Sequence, residues 1–350
     1  LYRNLKSLSK KNYLFKENYI NFYEFLNCFI LTLFKKPEKI KKNLKFQNID
    51  LGKIIEEEMK KKTHFFSEFH SNLKIIFIKK IHKLRFRLKK SIGRFENQSL
   101  DKAWFYGMNK YYPKVETIGF QNFLYYPHLL NQSPTFYENE SKLIPKKIVV
   151  TSKIAKFRRK EFFRSVKVLL GPSLGKQNVF KKFKLSKKYK FVLALCGIKL
   201  IDEKMLLWIS YTLKNDQDFR LIIKPHPSMS ITKLTNYKKY DFINNDRCKV
   251  TSEDIHNLLK KTEILISSGP TGVSFESIIY SCKLLYLVLD PSDLLMFKKI
   301  PKNNYVLAKD EIELFKQINI WKNKKIIKKN NNLKSLFFTK INDNNLKIFY

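Results

Sequence analysis

Short apolar runs alternate with amphipathic segments throughout the second half of the chain. Four of these runs have the length of a buried strand, and they are Phe191–Leu195, Phe219–Ile223, Ile264–Ile266 and Leu284–Leu289. Between the third and fourth runs, the apolar residues of segment 273–279 recur at helical spacing and share one face. Because strands that alternate with helices are typical of a parallel sheet, this half of the chain is expected to be an α/β domain.

Two of the apolar runs end in short turns of unusual composition. Lys224-Pro225-His226-Pro227 follows the second run, and Ser267-Ser268-Gly269-Pro270-Thr271-Gly272 follows the third. The carboxyl ends of parallel strands lie at one edge of a sheet, so His226 and the serine-rich turn are expected to face one ligand. Backbone N–H groups at a helix N-terminus favour an anion, and a histidine can donate a hydrogen bond or a proton to a departing phosphate. The pattern therefore predicts a phosphate site.

The candidate phosphate-binding residues lie in these two turns and in the helix that follows the second one. They are Lys224, His226, Ser267, Ser268, Gly269, Thr271, Gly272 and Glu276. Plainer interpretations stay open: His226 as a strand-terminal histidine in a rigid turn, and the serine-rich turn as a helix cap without a ligand. Glu276 is interpreted either as an acceptor for the hydroxyls of a ribose or sugar or as a solvated residue.

The segment from Arg94 to Pro127 predicts a second candidate site. Ser99 is a suitable N-cap for a helix over residues 100–110, and Val115–Phe120 has the pattern of a short strand. Polar residues flank the start of this helix and the end of this strand, where α/β domains bind ligands. These candidates are Glu96, Asn97, Gln121, Asn122 and His128.

The first 93 residues predict helices joined by basic connections. The stretch Tyr19–Phe34 is the most apolar, but Asn21, Glu24 and Asn27 interrupt it, and it is too short to span a bilayer. A core helix is the favoured interpretation, with an interfacial helix as the alternative. Leu73–Leu88 predicts an amphipathic basic helix, for which an ordinary surface position is favoured over membrane docking.

The net charge of +40 changes this picture less than its size suggests. Only nine of the 70 basic residues are arginine, the side chain that leads in bidentate contacts to phosphates and bases. We therefore favour a lysine-rich solvated surface over attraction to an anionic membrane, and both over a nucleic-acid role. Hydrophobic residues at 44% and aromatic residues at 15% exclude a mostly disordered chain.

Cysteine and metal-ligand patterns indicate a reducing compartment and metal-independent chemistry. The four cysteines form no CxxC pair and are expected to be buried free thiols. Asp216-Gln217-Asp218 has the letters of a metal-binding DxD motif, but it precedes a strand, so a solvated turn is favoured. No HExxH, Walker A or GxGxxG motif occurs. The missing motifs favour a protein without a metal or other cofactor. No secretory signal is visible, so we expect a cytoplasmic protein.

The motifs KPHP at 224–227 and SSGPTGVSFES at 267–277, followed by an apolar strand, resemble the C-terminal half of GT-B glycosyltransferases. More narrowly, they are similar to the HP and Ser-Ser/Thr motifs of a bacterial surface-carbohydrate and capsule group, which includes polysialyltransferases and Kdo transferases. RFENQ at 94–98 and IGFQN at 118–122 are similar to a YENQ … IGYQH pattern in surface-carbohydrate biosynthesis proteins. The resemblance covers residues 94–291.

The resemblance implies a role for individual residues. It implies that His226 and Ser267 or Ser268 bind the phosphate of a nucleotide-activated sugar. It also implies that Glu96 is the base that deprotonates the acceptor hydroxyl. Asn122 stands where the group often has histidine.

We therefore predict an α/β protein with two Rossmann-like domains facing across a cleft, in a GT-B-like arrangement. Its expected parts are a mainly helical region, the rest of the acceptor-side domain, a nucleotide-sugar domain and a Lys/Asn-rich tail, at 1–93, 94–175, 176–322 and 323–350. The predicted reaction moves a sugar from a nucleotide to a surface polysaccharide or lipopolysaccharide acceptor with inversion, at the inner face of the cytoplasmic membrane. The alternative is a non-catalytic protein that binds nucleotide sugars or phosphoglycans on the same scaffold.

Overall fold

Helices and parallel strands build both halves of the chain in the computed structural model. The structure describes residues 14–35, 45–46, 49–60, 64–123, 129–162, 165–229, 242–243, 246–269, 271–324 and 333–350. The described strands form two parallel sheets and one short antiparallel pair. Each parallel sheet is the centre of one domain.

Three helices and the antiparallel pair form the N-terminal part. They are α1 (Phe22–Leu33), β1 (Lys45–Phe46), β2 (Ile49–Asp50), α2 (Leu51–Lys60) and α3 (Phe65–Lys83). Helix α1 begins at a reciprocal cap, in which the side chains of Asn21 and Glu24 each accept from the other residue's backbone N–H. The buried side chains Phe77, Ile78 and Ile81 of α3 pack in one apolar cluster with residues of the first parallel-sheet domain, which follows α3 in the chain.

Helix α1 is not the core helix that its apolar sequence favours. Within the helix only Cys28 and Thr32 are buried, and its largest apolar side chains are exposed. The reason is that α1 contacts α3 along a narrow strip, where Asn72 Nδ2 donates to Thr32 Oγ1 at 3.2 Å. Helix α3, in contrast, buries one side as an amphipathic surface helix does.

The first parallel sheet has four strands in sequence order. The domain runs through β3 (Lys90–Arg94), α4 (Ser99–Tyr111), β4 (Glu116–Gln121), α5 (Phe136–Glu140), β5 (Lys147–Val150), α6 (Lys153–Phe162) and β6 (Lys167–Leu170). The order is β3-β4-β5-β6, without reversal among the described strands. The start of α4 differs from the prediction, since Gln98 rather than Ser99 is its N-cap. Asp101 accepts from the Gln98 N–H at 3.4 Å and from the Glu96 N–H at 2.7 Å.

The second sheet has six parallel strands. Its elements are β7 (Tyr189–Ala194), α7 (Lys199–Asn215), β8 (Leu221–Lys224), β9 (Cys248–Val250), α8 (Ile255–Lys261), β10 (Thr262–Ser267), α9 (Val273–Ile279), β11 (Lys283–Leu287), β12 (Tyr305–Ala308) and α10 (Glu311–Lys322). The spatial order is β12-β11-β10-β7-β8-β9. After β9 the chain therefore crosses to the other side of β7, and the order reverses between β7 and β10.

Both faces of the second sheet are buried, as the apolar runs predict. Along β7, Val192 and Ala194 point into one core, and Leu193 points into the other. The same alternation along β10 places Leu265 in the first core and Ile264 in the second. Strands buried on both faces are characteristic of parallel sheets covered by helices on either side. This arrangement leaves the strand ends as the accessible parts of the sheet.

The C-terminal segment 333–350 returns to the first domain. It contains α11 (Lys334–Phe337) and α12 (Asp343–Leu346), and Phe337 and Phe338 are buried in the second domain's core. Beyond them, the Thr339 N–H donates to Ser173 Oγ at 2.9 Å, next to β6. Lys90 Nζ donates to the Ile348 carbonyl at 3.1 Å. This segment, within the predicted Lys/Asn-rich tail, is therefore a packed strap between the domains.

The strap is expected to contribute strongly to stability through Phe337. Its side chain is 3% exposed, and its ring centroid lies 4.9 Å from that of Phe275. Phe337→Ala should lower the free energy of unfolding by about 3–5 kcal/mol, because it leaves a cavity in a packed core. Urea denaturation followed by circular dichroism measures this. The matched control is Tyr350→Ala, since Tyr350 is 89% exposed; equal midpoints for the two variants would contradict a structural role for the strap.

Candidate functional site

Three strand ends of the second sheet converge at its carboxyl edge. β8 ends at Lys224 and leads to His226, β7 leads to Gly197, and β10 leads to Gly269. The two predicted turns thus lie at one edge, but β7 lies between β8 and β10 and its turn separates them. The strand order reverses between β7 and β10, and open parallel sheets bind ligands at such a reversal.

The imidazole of His226 is fixed by hydrogen bonds to its Nδ1. The backbone N–H of Ser228 donates to Nδ1 at 3.2 Å, and Ser228 Oγ lies 2.7 Å from the same atom. Because a backbone N–H can only donate, Nδ1 is the acceptor in the neutral ring and the proton is on Nε2. His226 is half-buried, and Nε2–H is the hydrogen-bond donor of its neutral ring.

The turn that follows β7 contains Cys196 and Gly197 and is called the β7 turn. It approaches His226 so closely that position 197 requires glycine. Gly197 has a φ of +85°, and a Cβ at this position would lie 2.6 Å from His226 Nδ1. Asp202, in the first turn of α7, accepts from the backbone N–H of Cys196 at 2.7 Å and of Gly197 at 2.9 Å. Burial raises the pKa of Asp202, although the two backbone N–H donors oppose the shift. Asp202 thus holds the turn against the histidine.

The β7 and β10 turns also contact each other. Gly269 has a φ of +71°, and a Cβ there would lie 3.3 Å from Cys196 Sγ. Burial raises the pKa of the Cys196 thiol to about 12. The thiol therefore stays protonated near neutral pH and adds no negative charge beside the predicted phosphate site.

The serine hydroxyls of the β10 turn are committed to the protein interior. Ser267 Oγ lies 2.9 Å from Ser274 Oγ, and Ser268 Oγ donates to the Leu287 carbonyl at 2.7 Å. Both Ser267 and Ser268 are fully buried. In this geometry a ligand at the turn meets the backbone rather than these two side chains, and a direct contact of either hydroxyl with phosphate stays a prediction.

The other predicted phosphate-binding residues differ in exposure. Lys224 and Gly272 are half-buried, at the end of β8 and at the start of α9. The Lys224 carbonyl accepts from the Leu195 N–H at 3.0 Å, which extends the pairing of β7 and β8 to the edge. Thr271 is buried, and its Oγ1 accepts from the Val273 N–H at 3.4 Å. Thr271 thus shapes the entry to α9.

Glu276 is a buried carboxylate in α9, which excludes the alternative of a solvated residue. Its exposed fraction is 0%. Lys176 Nζ lies 2.6 Å from Oε1, and His256 Nδ1 lies 3.4 Å from Oε2. Neither oxygen has a hydrogen bond of good directionality within the described part of the chain, so charge holds the carboxylate. Lys176 belongs to Leu174–Phe180, the 3-10 segment that follows β6, and the connection between the domains therefore lies directly on Glu276.

Two acceptor-side candidates, Glu96 and Asn97, are engaged by neighbours. The Glu96 carboxylate forms an ion pair with Arg94, and Gln98 Nε2 donates to its Oε2 at 3.1 Å. Asn97 is buried with a φ of +60°, and its Nδ2 donates to Glu138 Oε1 at 3.1 Å. Glu96 is thus partly exposed within a charged network. Asn97 lies in the turn that follows β3 and holds that turn to Glu138.

The remaining acceptor-side candidates follow β4. Gln121 is buried, and Arg159 Nε donates to its Oε1 at 2.8 Å. Asn122 is exposed, and its Nδ2 would lie 3.9 Å from a Cβ on Gly175. Asn122 therefore lies beside the interdomain connection, next to the lysine that pairs with Glu276. The prediction for His128 lies outside the described residues.

Sequence reasoning missed three residues of this site: Gly197, Asp202 and Lys176. A signal exists for Gly197, because it follows the apolar run of β7 as the predicted turns follow β8 and β10. Asp202 is recognisable only once that turn is placed. Lys176 carries no local signal, since its partner is a hundred residues further along the chain.

The architecture is similar to that of solved nucleotide-sugar enzymes. The S. aureus MnaA–UDP co-structure shares 13% identity at a TM-score of 0.51, over 78% of this chain and 76% of that chain. A Listeria monocytogenes protein assigned as a UDP-N-acetylglucosamine 2-epimerase shares 11% identity at a TM-score of 0.50, over 74% and 72% of the two chains. The Methanocaldococcus jannaschii UDP-GlcNAc 2-epimerase shares 16% identity at a TM-score of 0.48, over 77% and 85%.

The two likenesses with TM-scores of 0.51 and 0.50 bear on the fold class. The chain is an α/β protein with two parallel-sheet domains in a GT-B-like arrangement, which confirms the predicted fold class. No protein-family model matches the chain, and no curated protein matches it in sequence. At these identities the solved structures bear on the fold alone, and the narrower likeness to capsule glycosyltransferases rests on the sequence motifs.

The contact between Gly197 and His226 leads to a stability prediction. Gly197→Ala should lower the free energy of unfolding by about 1–2 kcal/mol, because a non-glycine residue is strained at positive φ. The new methyl group must also displace the His226 ring. Urea denaturation gives the stability, and the imidazole NMR signals report the displacement. Gly175→Ala is the matched control, since a Cβ at Gly175 has only an ordinary contact at 3.9 Å; an unmoved His226 signal in Gly197→Ala would contradict the close approach.

Proposed function

We propose that this protein is a glycosyltransferase that moves a sugar from a nucleotide-activated donor to a cell-surface polysaccharide or lipopolysaccharide acceptor. The observation that carries the proposal is the meeting of His226, Gly197 and the turn after β10 at the point where the strand order reverses. The GT-B-like fold supports it, since S. aureus MnaA, which shares that fold, was solved with UDP. The reaction is proposed to take place in the cytoplasm, at the inner face of the membrane, and without a metal.

The proposed chemistry is a single displacement with inversion at the anomeric carbon. The acceptor oxygen forms a bond to that carbon while the bond from the carbon to the phosphate oxygen breaks, and its electron pair stays on the nucleotide. His226 Nε2–H donates to the phosphate as its negative charge grows, and Lys224 adds positive charge at the same strand end. The half-exposed backbone at Gly272 lies at the start of α9, on the same side.

Glu96 is proposed to take the proton of the acceptor hydroxyl. The resemblance of RFENQ at 94–98 to the family pattern supports this role. Its carboxylate is bonded to Arg94 and Gln98, so acceptor binding has to exchange at least one of these contacts. Asn122, at the end of β4 and beside Gly175, is proposed to contact the acceptor.

A non-catalytic binding protein is the second candidate, and one observation favours it. Most of the acceptor-side residues are occupied by structural contacts: Glu96 by Arg94, Asn97 by Glu138 and Gln121 by Arg159. The phosphate-binding edge depends on none of these contacts. A protein that holds a nucleotide sugar or phosphoglycan and releases it unchanged therefore fits the same scaffold.

His226→Ala is expected to weaken nucleotide binding about tenfold or more, because a hydrogen bond to a charged group contributes roughly 1.5–3 kcal/mol. Isothermal titration with CMP-, UDP- and GDP-sugars measures the affinity and identifies the base. His64→Ala is the control, since the His64 side chain is 70% exposed and lies in the N-terminal part. Unchanged affinity in His226→Ala would place the nucleotide elsewhere.

Product analysis of the same panel separates the two candidate functions. Transfer to a glycan acceptor in the presence of EDTA is expected for the metal-independent enzyme, with the anomeric configuration inverted in the product by NMR. Tight binding of a donor that every acceptor leaves unreacted would instead favour the binding protein. Epimerisation of the free nucleotide sugar would overturn the assignment as a transferase.

Glu276 is proposed to accept the ribose hydroxyls of the bound nucleotide in exchange for Lys176. In wild type, removing both ribose hydroxyls from the nucleotide should weaken binding about tenfold or more. In Glu276→Gln the penalty for the dideoxy nucleotide should largely disappear, because the charged acceptor is gone. Titration calorimetry measures the four combinations. Glu263→Gln serves as control, since Glu263 pairs with Lys190 on β7; a full penalty in Glu276→Gln would exclude the ribose contact.

A further inference from the structure

Helix α1 turns its apolar side away from the protein. Its outer face consists of large apolar side chains between 40% and 80% exposed: Phe22, Tyr23, Leu26, Ile30, Leu31 and Phe34. Asn27 is the one polar residue of α1 that shares this face. An amphipathic helix of a globular protein normally has the opposite orientation, with its apolar stripe toward the core.

Contacts on the inner side of α1 fix this orientation. Lys80 Nζ lies 2.8 Å from Glu24 Oε1, and Thr32 Oγ1 accepts from Asn72 Nδ2 at 3.2 Å. The Phe29 ring packs edge-on against Phe65 at a centroid distance of 5.3 Å. Rotating α1 to bury its outer face would break all of these contacts, so the exposure is a built feature of the fold.

Apolar exposure is concentrated in this part of the protein. Within the described residues, fourteen of the 28 exposed large hydrophobic side chains lie between Leu14 and Phe66. Six of these side chains follow one side of α1 and its C-cap as one exposed stripe, and exposed apolar patches mark interaction sites. The outer face of α1 therefore has an occupant.

Charge identifies the class of occupant. Residues 1–93 contain 23 lysines and arginines but only eight aspartates and glutamates. Lys35 lies just beyond the C-cap of α1; it pairs with Glu68, and its side chain is still 59% exposed. An anionic lipid surface attracts this combination of apolar face and basic surroundings, whereas a second copy of the same chain would be repelled by it. None of the described helices has the length and hydropathy needed to cross a bilayer, so the contact is one of a helix lying in the interface.

We propose that the outer face of α1 inserts into an anionic lipid bilayer and holds the protein at the membrane surface. The insertion depends on the apolar side chains, and the surrounding lysines bring the helix to the anionic headgroups. The surface shares no residue with the nucleotide site. A failure of this inference therefore leaves the proposed transfer reaction untouched and removes only its proposed location at the membrane, and a failure of the proposed reaction leaves the membrane surface untouched.

Vesicle co-sedimentation tests the proposal with the full chain. Wild type is expected to bind vesicles of phosphatidylglycerol and phosphatidylcholine at least tenfold more strongly than pure phosphatidylcholine vesicles. The triple variant Tyr23→Ser, Leu31→Ser, Phe34→Ser should lose at least tenfold in affinity for the anionic vesicles. Equal binding of wild type and the triple variant, or equal binding to both vesicle types, would overturn the proposal.

A matched control removes equally exposed side chains elsewhere. The variant Tyr137→Ser, Leu207→Ser, Ile312→Ser alters side chains that are 79%, 51% and 63% exposed in other parts of the molecule, and it should bind anionic vesicles as wild type does. Loss of binding in this control would overturn the assignment to α1. Light scattering adds a further test: a concentration-dependent dimer that the α1 variant alone abolishes would show that a second copy covers the face.

A single substitution gives a measurement that does not depend on loss of binding. Leu31→Trp keeps the outer face apolar, so the variant should fold and bind vesicles. The fluorescence of the introduced tryptophan is expected to shift to shorter wavelength on vesicle binding and to be quenched by brominated lipids. If the emission of the introduced tryptophan neither shifts nor is quenched in the vesicle-bound state, the side chain stays in water and the insertion of α1 is overturned.

Discussion

The close approach of the β7 turn to His226 is the contact on which the candidate site depends. Parallel pairing sets Ala194 of β7 beside Lys224 of β8, so the residues that follow these two strand ends must share a small space. Gly197 resolves the conflict because it has no Cβ where the imidazole lies and tolerates a φ of +85°. Asp202 fixes the same turn from the side of α7 through two backbone N–H groups. The direction of Nε2–H is therefore a consequence of backbone packing.

Local patterns were sufficient to predict the sheet edge. The apolar runs of β7, β8, β10 and β11 are short, buried on both faces and separated by helices, so the sequence alone places their ends together. What local pattern cannot give is strand order. The chain crosses β7 before forming β10, and for that reason a turn that sequence reasoning passed over, at Gly197, lies between the two it singled out. The hydroxyls of Ser267 and Ser268 show the same limit, since their partners Ser274 and Leu287 become neighbours only in the folded sheet.

Composition was a poorer guide than pattern in the terminal parts. The apolar sequence of α1 indicates an apolar surface but cannot say whether protein covers it, and the Lys/Asn-rich C-terminal sequence conceals the buried Phe337 and Phe338. The lysine excess itself has a structural use in places. Lys146 Nζ donates to the Val115 carbonyl at 2.9 Å, and Lys283 Nζ donates to the Asn303 carbonyl at 2.9 Å. Such lysines satisfy backbone groups at the ends of strands and loops.

The two connections between the domains differ in the kind of interaction that holds them. The strap is attached by directional bonds: the Ser173 N–H donates to the Thr339 carbonyl, and the Thr339 N–H returns a bond to Ser173 Oγ, each at 2.9 Å. Lys176 instead forms an ion pair with Glu276, and neither carboxylate oxygen accepts a well-directed hydrogen bond within the described residues. Replacing a well-made hydrogen bond leaves a polar group unsatisfied, whereas hydroxyls that reach Glu276 would satisfy oxygens that lack directed partners. Of the two connections, the one over Glu276 is therefore the one that the proposed ribose hydroxyls would have to open, and they must satisfy the buried carboxylate in place of Lys176 while the strap keeps the domains joined.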